Sequence, residues 1–368
     1  MKKDTSDKKH SRYLGCLFGG AVGDALGYPV EFLREERIEE KYGPEGIRTL
    51  TQGGVPAKIS DDTQMTLFAA NALISQKTNQ SMGYEECLAG AYGEWLATQG
   101  EECGLNLARE PRMWIYEDRR LHALRAPGNT CMSSLIQLTM DDYIHPAKNN
   151  SCGCGTVMRA APFGLAEHFD PQYSFGDAGI GVYKMASLDA MLTHGHPLAR
   201  ASSAALAHIV FRIVQYWLDE YNGLQDVIRG CIWGEPELKV LLDRAVELAL
   251  DDSVSDLDAI HELGEGWVAH EALAIAVFCA VRYQDDFAAA IRAAVNHKGD
   301  SDSTGAICGN ILGAWLGIEA VEAAFDLDDL ELKDVITEIA EDLYRVVEVG
   351  IPEVGEDVDW DRKYRLSR

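Results

Sequence analysis

Gly15-Cys16-Leu17-Phe18-Gly19-Gly20-Ala21-Val22-Gly23-Asp24-Ala25-Leu26-Gly27 places a glycine at every fourth position, and Gly305, Gly309, Gly313 and Gly317 repeat the spacing near the other end of the chain. Residues four apart share one face of an α-helix. Each tract, folded as a helix, presents a face without side chains, at an entropic cost that an isolated helix does not tolerate. Such helices must be closely packed. The two faces either crowd generic small-residue neighbours or lie deep in one core, where they fix the segments beside them and draw the flanking acidic motifs together.

Beyond these tracts, apolar residues recur every three to four positions over Met65–Ile74, Ala201–Leu218, Leu238–Leu250, Glu271–Tyr283, Phe287–Asn296 and Leu332–Val347, the spacing of helices. Alternating strand patterns are scarce. Turn signals at Tyr42-Gly43-Pro44, Gly53-Gly54, Ala126-Pro127-Gly128-Asn129 and Gly195-His196-Pro197 fall between helical segments. An all-α fold is therefore expected. No Pro/Ser-rich linker or shift in composition divides the chain, so residues 13–368 are read as a single compact multi-helix domain behind a flexible basic tail at 1–12.

A chain of 368 residues, 47% of them hydrophobic, has ample material for a core. Its formal net charge of -26 repels phosphate backbones, which argues against nucleic-acid partners. Acidity also suits cation capture, although solvated helices carry Asp and Glu merely for solubility. The apolar run after MKKDTSDKKHSRYLG is too short and too glycine-rich for a signal peptide or a membrane span, so a cytoplasmic protein without a membrane partner is expected. Nine scattered cysteines fit a reducing compartment; Cys152 and Cys154 are either a redox pair or two small residues in a glycine-rich loop.

Three acidic clusters carry the chemistry: Gly23-Asp24-Ala25-Leu26-Gly27 followed by Glu31, Ser60-Asp61-Asp62-Thr63, and Gly299-Asp300-Ser301-Asp302-Ser303-Thr304-Gly305. Hydroxyls interleaved with carboxylates are hard oxygen donors, and adjacent acids without an intervening base need a cation or solvent to relieve their repulsion. Magnesium or manganese fits best. Calcium is expected to take a contiguous loop with more ligands, and zinc to take His or Cys, which these clusters lack. Each cluster alone also reads as a helix N-cap, with Ser60 or Asp61 capping a helix that begins near Thr63, and Ser301 or Asp302 capping the helix through Gly305. The joint presence of all three favours a binuclear metal site.

Six segments taken in order resemble the ADP-ribosylglycohydrolase family. They are Gly19–Gly27 with Pro29 and Glu31-Phe32; Ser60-Asp61-Asp62-Thr63-Gln64-Met65; Pro127-Gly128-Asn129-Thr130; Gly153–Pro162; Thr193-His194-Gly195-His196-Pro197; and Gly299–Ala306. The resemblance, from about Gly15 to about Gly317, implies an all-α fold of that type with two magnesium ions between the Asp-Asp-Thr and late Asp-x-Asp segments. By position it implies that Ser60, Asp61, Asp62 and Asp302 bind one ion and Asp300, Asp302 and Ser303 the other. Glu31 matches the family's acidic residue near the scissile bond, and Glu31 and Asp62 are the catalytic candidates. Gly155, Met158 and Arg159 match the loop lining the ADP-ribose pocket, and His194 a residue near the substrate. Ser60 and Ser303 stand where the family usually carries threonine and keep the hydroxyl oxygen; Lys298 stands where it usually carries glycine and either tunes the site or snorkels to solvent. Arg159 either contacts substrate or pairs with a buried acid, and His194 either contacts substrate or is hydrogen-bonded in a turn.

The resemblance implies hydrolysis of the N-glycosidic bond of an ADP-ribosylated protein, with arginine the favoured modified residue. Two alternatives stand beside it: another binuclear metal hydrolase, acting on phosphate esters for example, and an immunity-type protein that neutralises a cognate ADP-ribosyltransferase toxin by binding as well as hydrolysis.

Overall fold

The computed structural model describes residues 2–79, 83–104, 113–139, 145–167, 177–215, 221–231 and 234–365. Among them the chain is α-helical with short 3-10 and π turns, and β structure is confined to isolated bridges such as Ala57 with Leu330. The expected all-α class holds. Six helices place the site: α1 (Lys2–Gly27), α2 (Asp61–Thr78), α3 (Pro197–Gln215), α4 (Ala269–Arg282), α5 (Ser301–Leu316) and α6 (Lys333–Tyr344).

The glycine faces of α1 and α5 are each other's partners. A methyl group placed on Gly309 would overlap the carbonyl oxygen of Gly19, one on Gly305 that of Gly23, and one on Gly313 that of Gly15. The helices run antiparallel, backbone against backbone, so the end of α1 at Gly27 lies on Ser301 and Asp302 at the start of α5. Asn310 clamps the crossing: its amide donates to the Cys16 carbonyl at 2.8 Å and fills the space that a side chain on Gly20 would need. Helix α5 then packs against α3 and α4, while α6 covers α1 and α2. From Leu273 to Val281, α4 is buried on every side, which is why its apolar pattern is nearly continuous rather than one-faced.

Helix boundaries follow local chemistry. Ser60 accepts a hydrogen bond from the Asp62 amide at 3.1 Å and caps α2, which starts at Asp61. The expected caps for α5 are corrected: the helix begins at Ser301 with Asp300 in the cap position and no side-chain cap bond. The segment read as Ala201–Leu218 starts earlier, at Pro197, and Leu218 lies outside the described residues. The boundary drawn at residue 12 falls inside α1. Lys9 pairs with Glu348 at 3.1 Å and donates to Gln215 at 2.9 Å, and Ser11 bonds Glu319, so the basic start forms a helix tied to the C-terminal segments.

The interlock predicts a sharp contrast between glycines. Gly309→Ala is expected to lower stability in urea by about 3 kcal/mol through overpacking. Gly90→Ala, in a helix where an added methyl meets nothing within 4 Å, is expected to raise it by roughly 0.5–1 kcal/mol.

Candidate active site

Because Gly27 rests on Asp302, the turn that follows α1 delivers Glu31 to the start of α5. Glu31, Asp300 and Asp302 each bring a carboxylate oxygen within 4.8 Å of the others. The first turn of α2 closes the group from a third direction. Its anchor is Asp24, which is wholly buried and accepts from the backbone amides of Ser60 at 2.9 Å and Thr63 at 3.1 Å, and from the Thr63 hydroxyl. The Ser60 hydroxyl reaches Asp302, and the Ser303 hydroxyl reaches Asp300. The six residues expected as metal ligands, Ser60, Asp61, Asp62, Asp300, Asp302 and Ser303, are thus gathered in one place and all buried.

The electrostatics are unfavourable for the isolated group. Burial, and then the charge of Asp302, push the Glu31 carboxyl up to about 10 and that of Asp24 up to about 7. Burial likewise raises Asp61, Asp62 and Asp300, each with repulsion from Asp302. One oxygen each of Glu31, Asp62 and Asp300 is buried without a hydrogen-bond partner. Unpaired buried carboxylate oxygens are costly, and oxygen donors from three segments aimed at one space suit a hard divalent cation. Lys298 does not neutralise them: it pairs with Glu265 at 3.0 Å near the surface, as a snorkelling lysine does.

The opposite wall begins at Asp61, which accepts from the Gly128 amide at 3.1 Å. It continues through Cys131 to Gly155, where an added Cβ would lie 2.6 Å from the Cys131 sulfur and 3.3 Å from the His194 ring. The Nδ1 atom of His194 meets the Thr193 hydroxyl at 2.9 Å. Burial, and then the Arg159 charge, hold its ring down to about 3, so it is neutral. For Arg159, direct substrate contact is replaced by the alternative. The side chain has no exposed surface; it pairs with Asp189 at 2.9 Å, donates to the Gly155 carbonyl at 2.8 Å and to the Thr193 hydroxyl at 3.0 Å, and lies on the Tyr92 ring. Its fixed geometry positions both Gly155 and His194. Met158 is 3% exposed, and its carbonyl accepts from Thr66.

Two residues were absent from the expected set. Asp24 organises the start of α2, a role signalled only by its place one turn before Gly27. Cys154 lies against Asp300 and Ser303, while Cys152 faces His270 at 3.6 Å, so the two thiols have different neighbours.

The ADP-ribosylglycohydrolase family model matches residues 5–352. The chain is 25% identical over 339 residues to the ADP-ribosyl-dinitrogen reductase glycohydrolase of Rhodospirillum rubrum, covering 89% of this chain and 93% of that protein. It is 24% identical to the ADP-ribosylhydrolase ARH3 of Mus musculus over 380 residues, with 91% and 92% covered. It is 25% identical to the ADP-ribosylarginine hydrolase Tri1 of Serratia proteamaculans over 334 residues, with 90% and 78% covered. A solved ADP-ribosylglycohydrolase-related protein complex has the same fold, with a TM-score of 0.64 at 23% identity over 92% of this chain and 99% of that one.

Two outcomes follow. The raised carboxyls bind protons more tightly in the folded than in the unfolded chain, so their stabilising effect is complete below the ordinary 3.8 of aspartate and is lost as pH climbs through about 7 at Asp24. The melting temperature of chelated protein should therefore fall between about pH 5 and about pH 8, and a divalent cation should raise it more at the higher pH. Arg159→Met leaves Asp189 buried and uncompensated, and urea titration should register a loss of about 3–5 kcal/mol, partly recovered when Asp189→Leu is added.

Proposed function

The chain belongs to the ADP-ribosylglycohydrolase family, and on that premise we propose that it is a divalent-metal-dependent hydrolase that removes ADP-ribose from modified protein, with arginine the favoured acceptor. The observation that carries this proposal is the convergence of Glu31, Asp300 and Asp302 within 4.8 Å, with buried carboxylate oxygens left unpaired. Ser60, Asp61, Asp62, Asp300, Asp302 and Ser303 would hold two ions, magnesium or manganese. Ions bound there supply Lewis acidity and a fixed orientation for the sugar hydroxyls.

The chain's own groups do the rest. Cleavage of the bond between the anomeric carbon and the guanidinium nitrogen builds positive charge on the ribose, which the surrounding carboxylates favour. Water adds to the anomeric carbon as the C–N bond breaks, and the arginine side chain departs as a neutral guanidine that takes up the proton the water gives up. Glu31, in a turn rather than within a helix and ionised once bound cations would offset the charge of Asp300 and Asp302, accepts that proton and passes it on, with Asp62 the alternative acceptor. The wall of Gly128, Gly155 and neutral His194 offers a surface without bulky side chains and an uncharged ring to the ADP moiety. Arginine is favoured by the likeness to Tri1, whose name states its substrate. Nine scattered cysteines fit work in the cytoplasm. The alternative reading, neutralisation of a cognate ADP-ribosyltransferase toxin by binding, is separated from hydrolysis by the Asp302→Ala variant.

Purified protein with magnesium should release ADP-ribose from ADP-ribosylated arginine and leave a generic phosphate ester untouched. Chelation should stop turnover, and Asp302→Ala should lower kcat/KM at least about 1000-fold, roughly 4 kcal/mol of transition-state stabilisation. Full activity of Asp302→Ala in chelator would sink the proposal. Persistent protection from a toxin by that inactive variant would identify the binding role.

A further inference from the structure

Phe32 and Trp267 take no part in the roles assigned so far. Their rings stack with centroids 5.4 Å apart and planes 19° from parallel, yet Phe32 is 69% exposed and Trp267 37%. Phe32 has φ +64°, the left-handed region, which is unfavourable for a bulky side chain. The turn thus holds Glu31 against Asp302 while the next residue presents an aromatic ring to solvent.

Trp267 is held just as firmly. Its carbonyl accepts from the Cys154 amide at 3.2 Å, and the preceding Gly266, with φ +83°, lies where an added Cβ would come within 3.3 Å of Asp300 Cβ. Each ring therefore stands one residue from a segment that touches the acidic cluster. Beside the pair is a recess of about 620 Å³ lined by Glu35, Glu36 and Glu265 together with Arg34, His261 and Lys298; His261 pairs with Glu35 and Lys298 with Glu265, while Glu36 stands beside them.

Aromatic faces carry negative potential, and a guanidinium, planar and weakly hydrated, is the biological cation that stacks on them best. Glu36, on the lining beside the rings, strengthens that preference. We propose that Phe32 and Trp267, with Glu36 on the rim, form the leaving-group subsite, a stacking seat for the guanidinium of ADP-ribosylated arginine; this rests on the hydrolase reading above.

The test compares the full-length protein with Phe32→Ala, Trp267→Ala, Phe32→Tyr and Trp267→Phe, all in magnesium. Substrates are ADP-ribosylated agmatine, whose leaving group is a guanidinium, and a peptide ADP-ribosylated on serine, whose leaving group is neutral; free ADP-ribose is the product inhibitor. Each alanine variant should raise KM for the agmatine substrate about fivefold, the size of one cation–π contact at a partly exposed site, with a much smaller change in kcat. Inhibition by ADP-ribose should be unchanged, and the aromatic variants should restore KM to within about twofold. Equal losses on both substrates, or matched weakening of ADP-ribose, would overturn the assignment, the latter by placing the adenine on these rings. Wild-type protein active only on serine-linked ADP-ribose would overturn the subsite and leave the hydrolase standing; inactivity on every ADP-ribosylated substrate would overturn both.

Discussion

The contact of α1 with α5 at backbone distance is the constraint on which the rest depends. Ordinary helices are held 8–10 Å apart by their side chains; here Gly19 and Gly309, and Gly23 and Gly305, leave room for none. The four-residue repeat alone would accept a slip of one turn, and Asn310, donating to the Cys16 carbonyl and filling the space beside Gly20, fixes the register. A slip by one turn would carry Gly27 away from Asp302 and separate Glu31 from Asp300. The start of α2 is tied into the same frame by Asp24, itself on α1 between Gly23 and Gly27. Side chains held by a rigid crossing are placed more accurately than the same groups on free loops, which a site orienting a sugar requires.

The molecule buries charge in two contrasting ways. Around Arg159 every partner is present: Asp189, the Gly155 carbonyl, the Thr193 hydroxyl and the Tyr92 ring surround the guanidinium, and the Tyr92 hydroxyl completes Asp189 at 2.6 Å. Around Asp302 the neighbours are other acids, and the unpaired oxygens of Glu31, Asp62 and Asp300 remain. A satisfied ion pair is a structural feature, while an unsatisfied like-charged group persists only where something else is to be bound. Arg159 is thus scaffolding for the wall that the acids face.

Much of this was legible in the residues, and the limits are physical. The fourfold glycine spacing and the helical periodicity are local signals, so the tracts, the class and the acidic motifs could be read directly. Ser60 was readable as a cap because a cap contacts the next turn of its own helix. Asp24 was visible as an acid but not as the anchor of α2, since that bond spans 36 residues of chain. Arg159 left two alternatives open because sequence does not reveal whether a cation has an acid to meet in the core. The basic start looked solvated because Glu348, which holds Lys9, lies at the far end of the chain. Phe32 was legible only as the neighbour of Glu31 in its motif and Trp267 not at all: an aromatic residue is ordinarily core, and only the fold shows these two outside it.

The charge of the cluster has to be balanced from outside the protein, and the fate of the neighbouring cations shows why. Lys298, two residues before Asp300, is engaged by Glu265. Arg125, whose carbonyl accepts from the Asp61 amide, is engaged by Glu331 at 2.7 Å. Arg159 is committed to Asp189, and its charge helps to keep His194 neutral. These three basic groups are thereby turned away from Asp302. A lysine placed among these carboxylates would satisfy them and stabilise the fold, at the expense of the space into which they point. Protons can fill the deficit at low pH, but at neutral pH and above divalent cations match both the charge and the oxygen-rich donor set.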